Sequence, residues 1–293
     1  MKHFLFLLLR IFVCIIISAL ILDAAYSAIY ANSQSRGKID FVCNNKSQVY
    51  DVVFLGSSRA NNHFVPEIFA EKGIKSYNFG MCGSHLFETS LLLKIMIENK
   101  FKIKSIVLET DLNLSYERRA NGIASKFLPF IHNSKAIRQH FKKEDDFVSL
   151  YYIPFYRYLK FENRIGFREL FFSAIGKRST HLDNNGFSAL YGSQIGNMKN
   201  NLKNFIPLSS NKHYQDIKQI CAKNNIRLIA VMTPMCENVV GMAYFDKVKK
   251  LYPEIYNYEN AVIEDENFSS CGHLNNEGAK KFTKVIFRDF FNK

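Results

Sequence analysis

The sequence predicts an α/β fold built on a parallel sheet with helices on both faces, and three observations predict it. Short β-rich apolar runs alternate with stretches of helical periodicity. The first runs close on glycine, as strands do at tight turns. The composition, 47% hydrophobic and 22% charged over 293 residues, is that of a chain with a real core, which excludes disorder and collagen-like structure.

The elements follow in order. Residues 4–22 form a 19-residue apolar stretch with one charge, Arg10. About 20 such residues span a bilayer, so this reads as a transmembrane anchor. Lys2 and Arg10 keep its N-terminus inside. The alternative is a cleaved signal peptide, with small residues Ala25, Ser27, Ala28 and Ala31 available for cleavage. Both readings put the remainder across the membrane. Residues 1–28 are thus the signal-anchor, 29–48 a polar stalk, and 49–293 the α/β domain. Strands are predicted at 49–55, 76–79, 103–108, 227–232 and 261–263. Helices are predicted at 65–72, 84–99, 211–225 and 277–291, the last with Ala279, Phe282, Val285, Ile286 and Phe290 as its stripe. The block 115–205 breaks the rhythm with dense Phe and Tyr. It reads as a helical insertion on one edge of the sheet, either a packed cap or a substrate platform.

The net charge of +13 suits nucleic acid, an anionic membrane surface or an anionic glycan. No zinc finger, RNP motif or Walker A loop occurs, so no nucleic-acid partner is expected. Of six cysteines, Cys14 lies in the apolar stretch, leaving an odd five outside it. None has CxxC or Cys/His metal spacing, so no metal is expected. The cysteines read as buried free thiols rather than a disulfide framework.

Four polar clusters fall where an open parallel sheet binds ligands, beyond the carboxyl ends of its strands. Gly56-Ser57-Ser58-Arg59 follows the first strand. A Ser in such a turn presents its hydroxyl near backbone N–H groups, which suits a nucleophile. Asn78-Phe79-Gly80-Met81-Cys82-Gly83 follows the second strand and Asp111-Leu112-Asn113 the third. Gly272-His273-Leu274-Asn275-Asn276-Glu277-Gly278 precedes the last helix, where an imidazole can reach over the sheet edge. Each cluster alone also fits an ordinary turn.

Together, in this order, the four blocks resemble those of the SGNH (GDSL-type) hydrolase superfamily. The runs Val-Val-Phe-Leu-Gly-Ser-Ser-Arg-Ala at 52–60 and Gly-His-Leu-Asn-Asn-Glu-Gly-Ala at 272–279 also resemble a group of N-terminally anchored bacterial envelope proteins. The resemblance covers 49–293 and implies a three-layer flavodoxin-like fold. It implies Ser58 as nucleophile, with Ser57 where many relatives have Asp, and His273 as base. The Ser58 and Gly83 N–H groups and the Asn113 side chain would form the oxyanion hole. Asp111 competes with Asn113, because the third block reads Asp-Leu-Asn-Leu rather than Gly-x-Asn-Asp.

The chain departs from the family at Asp-x-x-His, which here reads Ser270-Cys271-Gly272-His273. The carboxylate that would orient the imidazole is missing. Ser270, a backbone carbonyl, or one of Glu264, Asp265 and Glu266 is left to orient it. The resemblance therefore implies an envelope-anchored esterase or O-acyltransferase, periplasmic, without cofactor, acting on an acylated glycan or another ester. The alternative is a non-catalytic binding or scaffold protein on the same fold. Cell fractionation checks the anchor: the intact chain should sediment with membranes, with residues beyond 32 open to protease only from the extracytoplasmic side.

Overall fold

In the computed structural model, which describes residues 1–33, 36–193 and 198–292, five strands form the central parallel sheet. They are β1 (Val49–Leu55), β2 (Ser76–Asn78), β3 (Lys102–Glu109), β4 (Arg227–Met232) and β5 (Tyr256–Asn257), in the order β2-β1-β3-β4-β5. The register sets Val53 beside Tyr77 and Ile106, and Val107 beside Ile229. Because strand side chains alternate, Val53, Leu55, Ile106, Leu108 and Met232 enter one core. Val52, Phe54, Val107, Ile229 and Val231 enter the other. Both faces of β1, β3 and β4 are thus buried, which explains their unbroken apolar runs.

The first core receives α2 (Lys38–Asn44), α5 (Leu86–Glu98) and α6 (Lys212–Lys223). Helix α7 (Ala243–Leu251) joins it through Tyr244, Phe245 and Val248. The second core receives α3 (Ser58–His63), α4 (Pro66–Ala70) and α8 (Asn276–Phe291), with Phe64, Phe69, Phe282 and Ile286 against the strands. Helices on both faces make the arrangement compatible with three layers. The order of the strands reverses between β1 and β3, and the crevice at that reversal is where such sheets place ligands.

Four expectations need correction. The fifth strand is Tyr256–Asn257, and 261–263 is not a strand; Val262 is buried there by packing alone. The stretch 29–48 is not a free stalk. Helix α1 (Lys2–Asn32) continues past the apolar stretch, and Tyr30, Ile39 and Val42 are buried in the first core. The small residues Ala25, Ser27, Ala28 and Ala31 lie within this unbroken helix. The insertion is α-helical only as far as Ala174, with two single 3-10 turns at Thr180–Leu182 and Asn184–Gly186 beyond it. Phe127, Phe130, Phe141 and Tyr158 join the first core, so this part is a packed cap. Beyond it the chain crosses to the other face, where Phe187 enters the second core. There the Ser188 N–H donates to Asn61 O at 3.1 Å and the Asn276 N–H to Leu190 O at 2.7 Å.

The fourth correction concerns the thiols: Cys236 and Cys271 form a disulfide, while Cys14, Cys43, Cys82 and Cys221 are free. It joins the segment after β4 to the hairpin 268–274 across 35 residues of chain. Closing a loop of that length in the unfolded chain stabilises the fold by about 4 kcal/mol in the chain-entropy model. The double variant Cys236→Ser/Cys271→Ser should lose stability of that order in denaturant unfolding, with an unchanged far-ultraviolet dichroism spectrum below the transition.

Candidate active site

The turn after β1 is held in place by the end of β3. Gly56 has φ of +140°, and a Cβ there would come within 2.7 Å of the Glu109 carboxylate. Only glycine fits that conformation and that approach. Ser57 follows as the N-cap of α3: its N–H and its hydroxyl both donate to Glu109 Oε2 at 2.7 Å, and its Oγ accepts from the Arg59 N–H. Ser58 is therefore the first residue of α3, half-buried.

Across 215 residues of sequence, Ser58 Oγ meets His273 Nε2 at 2.9 Å. His273 sits on the second strand of the small hairpin, paired with Ser270. The Asn275 side chain then caps α8 by accepting from the Gly278 N–H at 3.0 Å. Burial, with the positive Arg59 nearby, pulls the His273 imidazole down to about 4. At neutral pH it is uncharged, so Nε2 can accept the Ser58 hydroxyl proton, with the ring hydrogen on Nδ1. Among the described residues no group hydrogen-bonds to Nδ1. Ser270 pairs with His273 through the backbone register, without a side-chain hydrogen bond to the ring. Glu264, Asp265 and Glu266 make no contact with it as hydrogen-bond or ion-pair partners either. Asp265 instead accepts from Asn238, and Glu264 from Asn267.

Behind the pair lies a buried charged cluster, of which sequence reasoning missed Glu109 and the pairing of Arg59 with Asp111. The Arg59 guanidinium is 2.9 Å from Asp111 Oδ2 and donates to the carbonyls of Thr233 and Pro234 at 3.0 and 2.6 Å. Asp111 accepts from the Thr233 N–H and hydroxyl, both at 2.7 Å. Asp111 and Glu109 are fully buried, and desolvation pushes both carboxyls up, with Arg59 opposing it. The signal was on the page as charged residues closing an apolar strand, Glu109 and Asp111, and an Arg directly after the serine. His63 on α3 is also buried and neutral, held well below its ordinary value chiefly by desolvation; its Nε2 accepts the Leu274 N–H at 3.1 Å and so steadies the His273 hairpin.

The other sequence-predicted residues are placed less tightly. Gly83 lies exposed in the loop after β2, at φ of +77°, with its N–H uncommitted among the described residues. Its loop is docked on the serine turn, since the Met81 N–H and the Ser84 hydroxyl both donate to Gly56 O. Asn113 is buried in the turn after β3, and neither it nor Gly83 hydrogen-bonds to Ser58 or His273. Asp111, the competitor, is committed to Arg59 and Thr233. Among the described residues no cluster of His, Cys, Asp and Glu could hold a metal.

An NMR titration of the full chain should show the His273 imidazole protonating near pH 4, so that it remains a proton acceptor from pH 5 to 7. Arg59→Met should move that midpoint upward; a wild-type midpoint at the ordinary histidine value would contradict the influence assigned here to burial and Arg59. No protein-family model and no curated protein matches this chain, so the Ser58–His273 geometry and the blocks around it carry the functional reading.

Proposed function

We propose that this chain is an envelope-anchored serine esterase or O-acyltransferase of the SGNH kind, with Ser58 as nucleophile and His273 as its base. The observation that carries the reading is the 2.9 Å approach of Ser58 Oγ to His273 Nε2, made by residues that only the tertiary fold can join. Ser58 Oγ bonds to the acyl carbonyl carbon as His273 Nε2 takes its proton. The tetrahedral intermediate collapses, and the leaving alcohol takes that proton from His273. Water, or a sugar hydroxyl in a transferase, then attacks the acyl-enzyme carbonyl as His273 takes its proton; the bond to Ser58 Oγ breaks, Ser58 recovers the proton from His273, and the acid or new ester leaves. The Ser58 and Gly83 N–H groups and the Asn113 amide are the proposed oxyanion donors.

Placement outside the cytoplasm is supported by the N-terminal helix, long and apolar enough to cross a membrane, with an 18-residue window of mean hydropathy 3.0. It is supported independently by the Cys236–Cys271 disulfide, since such bonds persist in oxidising compartments. An acyl ester of an envelope glycan is the substrate class that this placement favours.

One observation favours a second reading, a binding or scaffold protein without turnover. Among the described residues no carboxylate meets His273 Nδ1, so the imidazolium formed in the transition state lacks a counter-charge. Losing such a partner costs a rate factor of about 10⁴ in a Ser-His-Asp protease. A fluorophosphonate probe on the full chain in detergent separates the two. Labelling that is lost in Ser58→Ala and in His273→Ala supports the enzyme, whereas an unlabelled wild type supports the scaffold. Since Ser270 faces His273 across the hairpin, Ser270→Asp should raise the rate of labelling by about tenfold or more if the imidazole lacks only its carboxylate.

A further inference from the structure

A cavity of about 290 Å³ lies between the start of α2, α3, the loop after β2 and the cap. This is near the low end of the range for small-ligand sites, about 300–1,000 Å³. Its wall carries a buried amine. Lys38 is only 6% exposed, and its Nζ donates to Asn61 Oδ1 and to Gly80 O, both at 2.6 Å. Those two acceptors are neutral, and among the described residues no carboxylate pairs with Lys38. A buried cation without a counter-charge is costly, and here desolvation pulls the amine down to about 7.

The rest of the wall leans the same way. Arg36 and Glu169 neutralise each other through two hydrogen bonds of 2.6 and 3.0 Å. Lys126 and Arg164 line the cavity, exposed and without an ion pair among the described residues. Asp40 is the remaining acid, and burial raises its carboxyl to about 7, which blunts its charge. The balance is a polar cavity with a surplus of positive charge, one of its cations buried and with one donor hydrogen uncommitted when protonated.

We propose that this cavity binds the anionic group of the substrate, a carboxylate or phosphoryl oxyanion, with Lys38 as its inner contact and Lys126 and Arg164 at its mouth. The position suits this role. Asn61, which shares Lys38 Nζ, lies three residues after Ser58 on α3, and residues so spaced on a helix are neighbours, with Cβ atoms about 5–6 Å apart. The loop that supplies Gly80 and Cys82 to the wall continues directly into Gly83. The cavity therefore borders the serine turn through Asn61 and through this loop. The assignment of the anion to the substrate rests on the esterase or acyltransferase reading; the binding itself does not.

The test is titration calorimetry on the full-length Ser58→Ala chain in detergent, which binds without turnover. Glucuronate and glucose 1-phosphate are the two oxyanion probes, and glucose is the neutral control. Glucuronate or glucose 1-phosphate should bind about tenfold or more tightly than glucose. The tighter of the two then identifies the oxyanion as carboxylate or phosphoryl. Lys38→Met should remove that preference, and the surface pair Lys126→Gln/Arg164→Gln, which does not disturb the interior, should weaken it about fivefold or more. Equal affinity for all three sugars, no binding of any, or an unchanged preference in the surface pair would overturn the proposal. Oxyanion binding in a chain that fluorophosphonate fails to label would leave this site standing and remove the catalytic reading. Labelling without oxyanion binding would do the reverse.

Discussion

Two carboxylates at the end of β3 hold the site together. Glu109 takes both polar hydrogens of Ser57, and Asp111 faces the Arg59 guanidinium, so the residues on either side of Ser58 are each tied to the neighbouring strand. Neither acid is exposed to water. A buried ion pair contributes little net stability over an apolar replacement, but removing one partner strands a charge and costs about 3–5 kcal/mol. The cluster therefore acts mainly as a positional constraint. It leaves the serine turn one place to be, at the point where the sheet reverses its order, and the cavity around Lys38 inherits that placement through Asn61 and Gly80.

The same constraint reaches His273 from the opposite side. Arg59 donates to the carbonyls of Thr233 and Pro234, and two residues further on Cys236 is bonded to Cys271 in the histidine hairpin. His63, on α3 itself, accepts from the hairpin backbone at Leu274. The serine and histidine are thus connected by side chains, by backbone and by a covalent bond. The proximity of Ser58 and His273 is a product of this whole frame, and of no short stretch of sequence.

How much of this was legible beforehand follows from the range of the forces involved. The sheet and its main helices are written in local apolar periodicity: β1 and β4 were recovered with their ends, and β3, α5, α6 and α8 with ends shifted by a residue or two. Ser58 and His273 were legible because each lies in a recognisable local context. β5 was not, because a two-residue strand carries no periodic signal. Residues 29–48 look polar in sequence, yet Tyr30, Ile39 and Val42 are buried through contacts with distant segments. Lys38 was hidden for the same reason, since its acceptors lie 23 and 42 residues away. The Cys236–Cys271 pairing is equally non-local, and an odd count of cysteines concealed it.

The junction of α1 with the cap has a mechanical meaning. The Arg157 guanidinium, fully buried, donates to Asp23 Oδ1 at 2.6 Å and to Ser27 Oγ at 3.0 Å, and Tyr158 pairs with Ser27 and packs against Tyr26 and Tyr30. The helix is therefore locked to the domain for its last two to three turns, from Asp23 to Asn32. At a rise of about 1.5 Å per residue, that is a rigid post of roughly 15 Å. Where residues 4–22 lie in a bilayer, the domain cannot swing on a tether. Its height and tilt are set by the lipid, and it patrols a thin slab above the surface by lateral diffusion. Whatever meets the domain would have to enter that slab, so encounter becomes a two-dimensional search along the membrane surface.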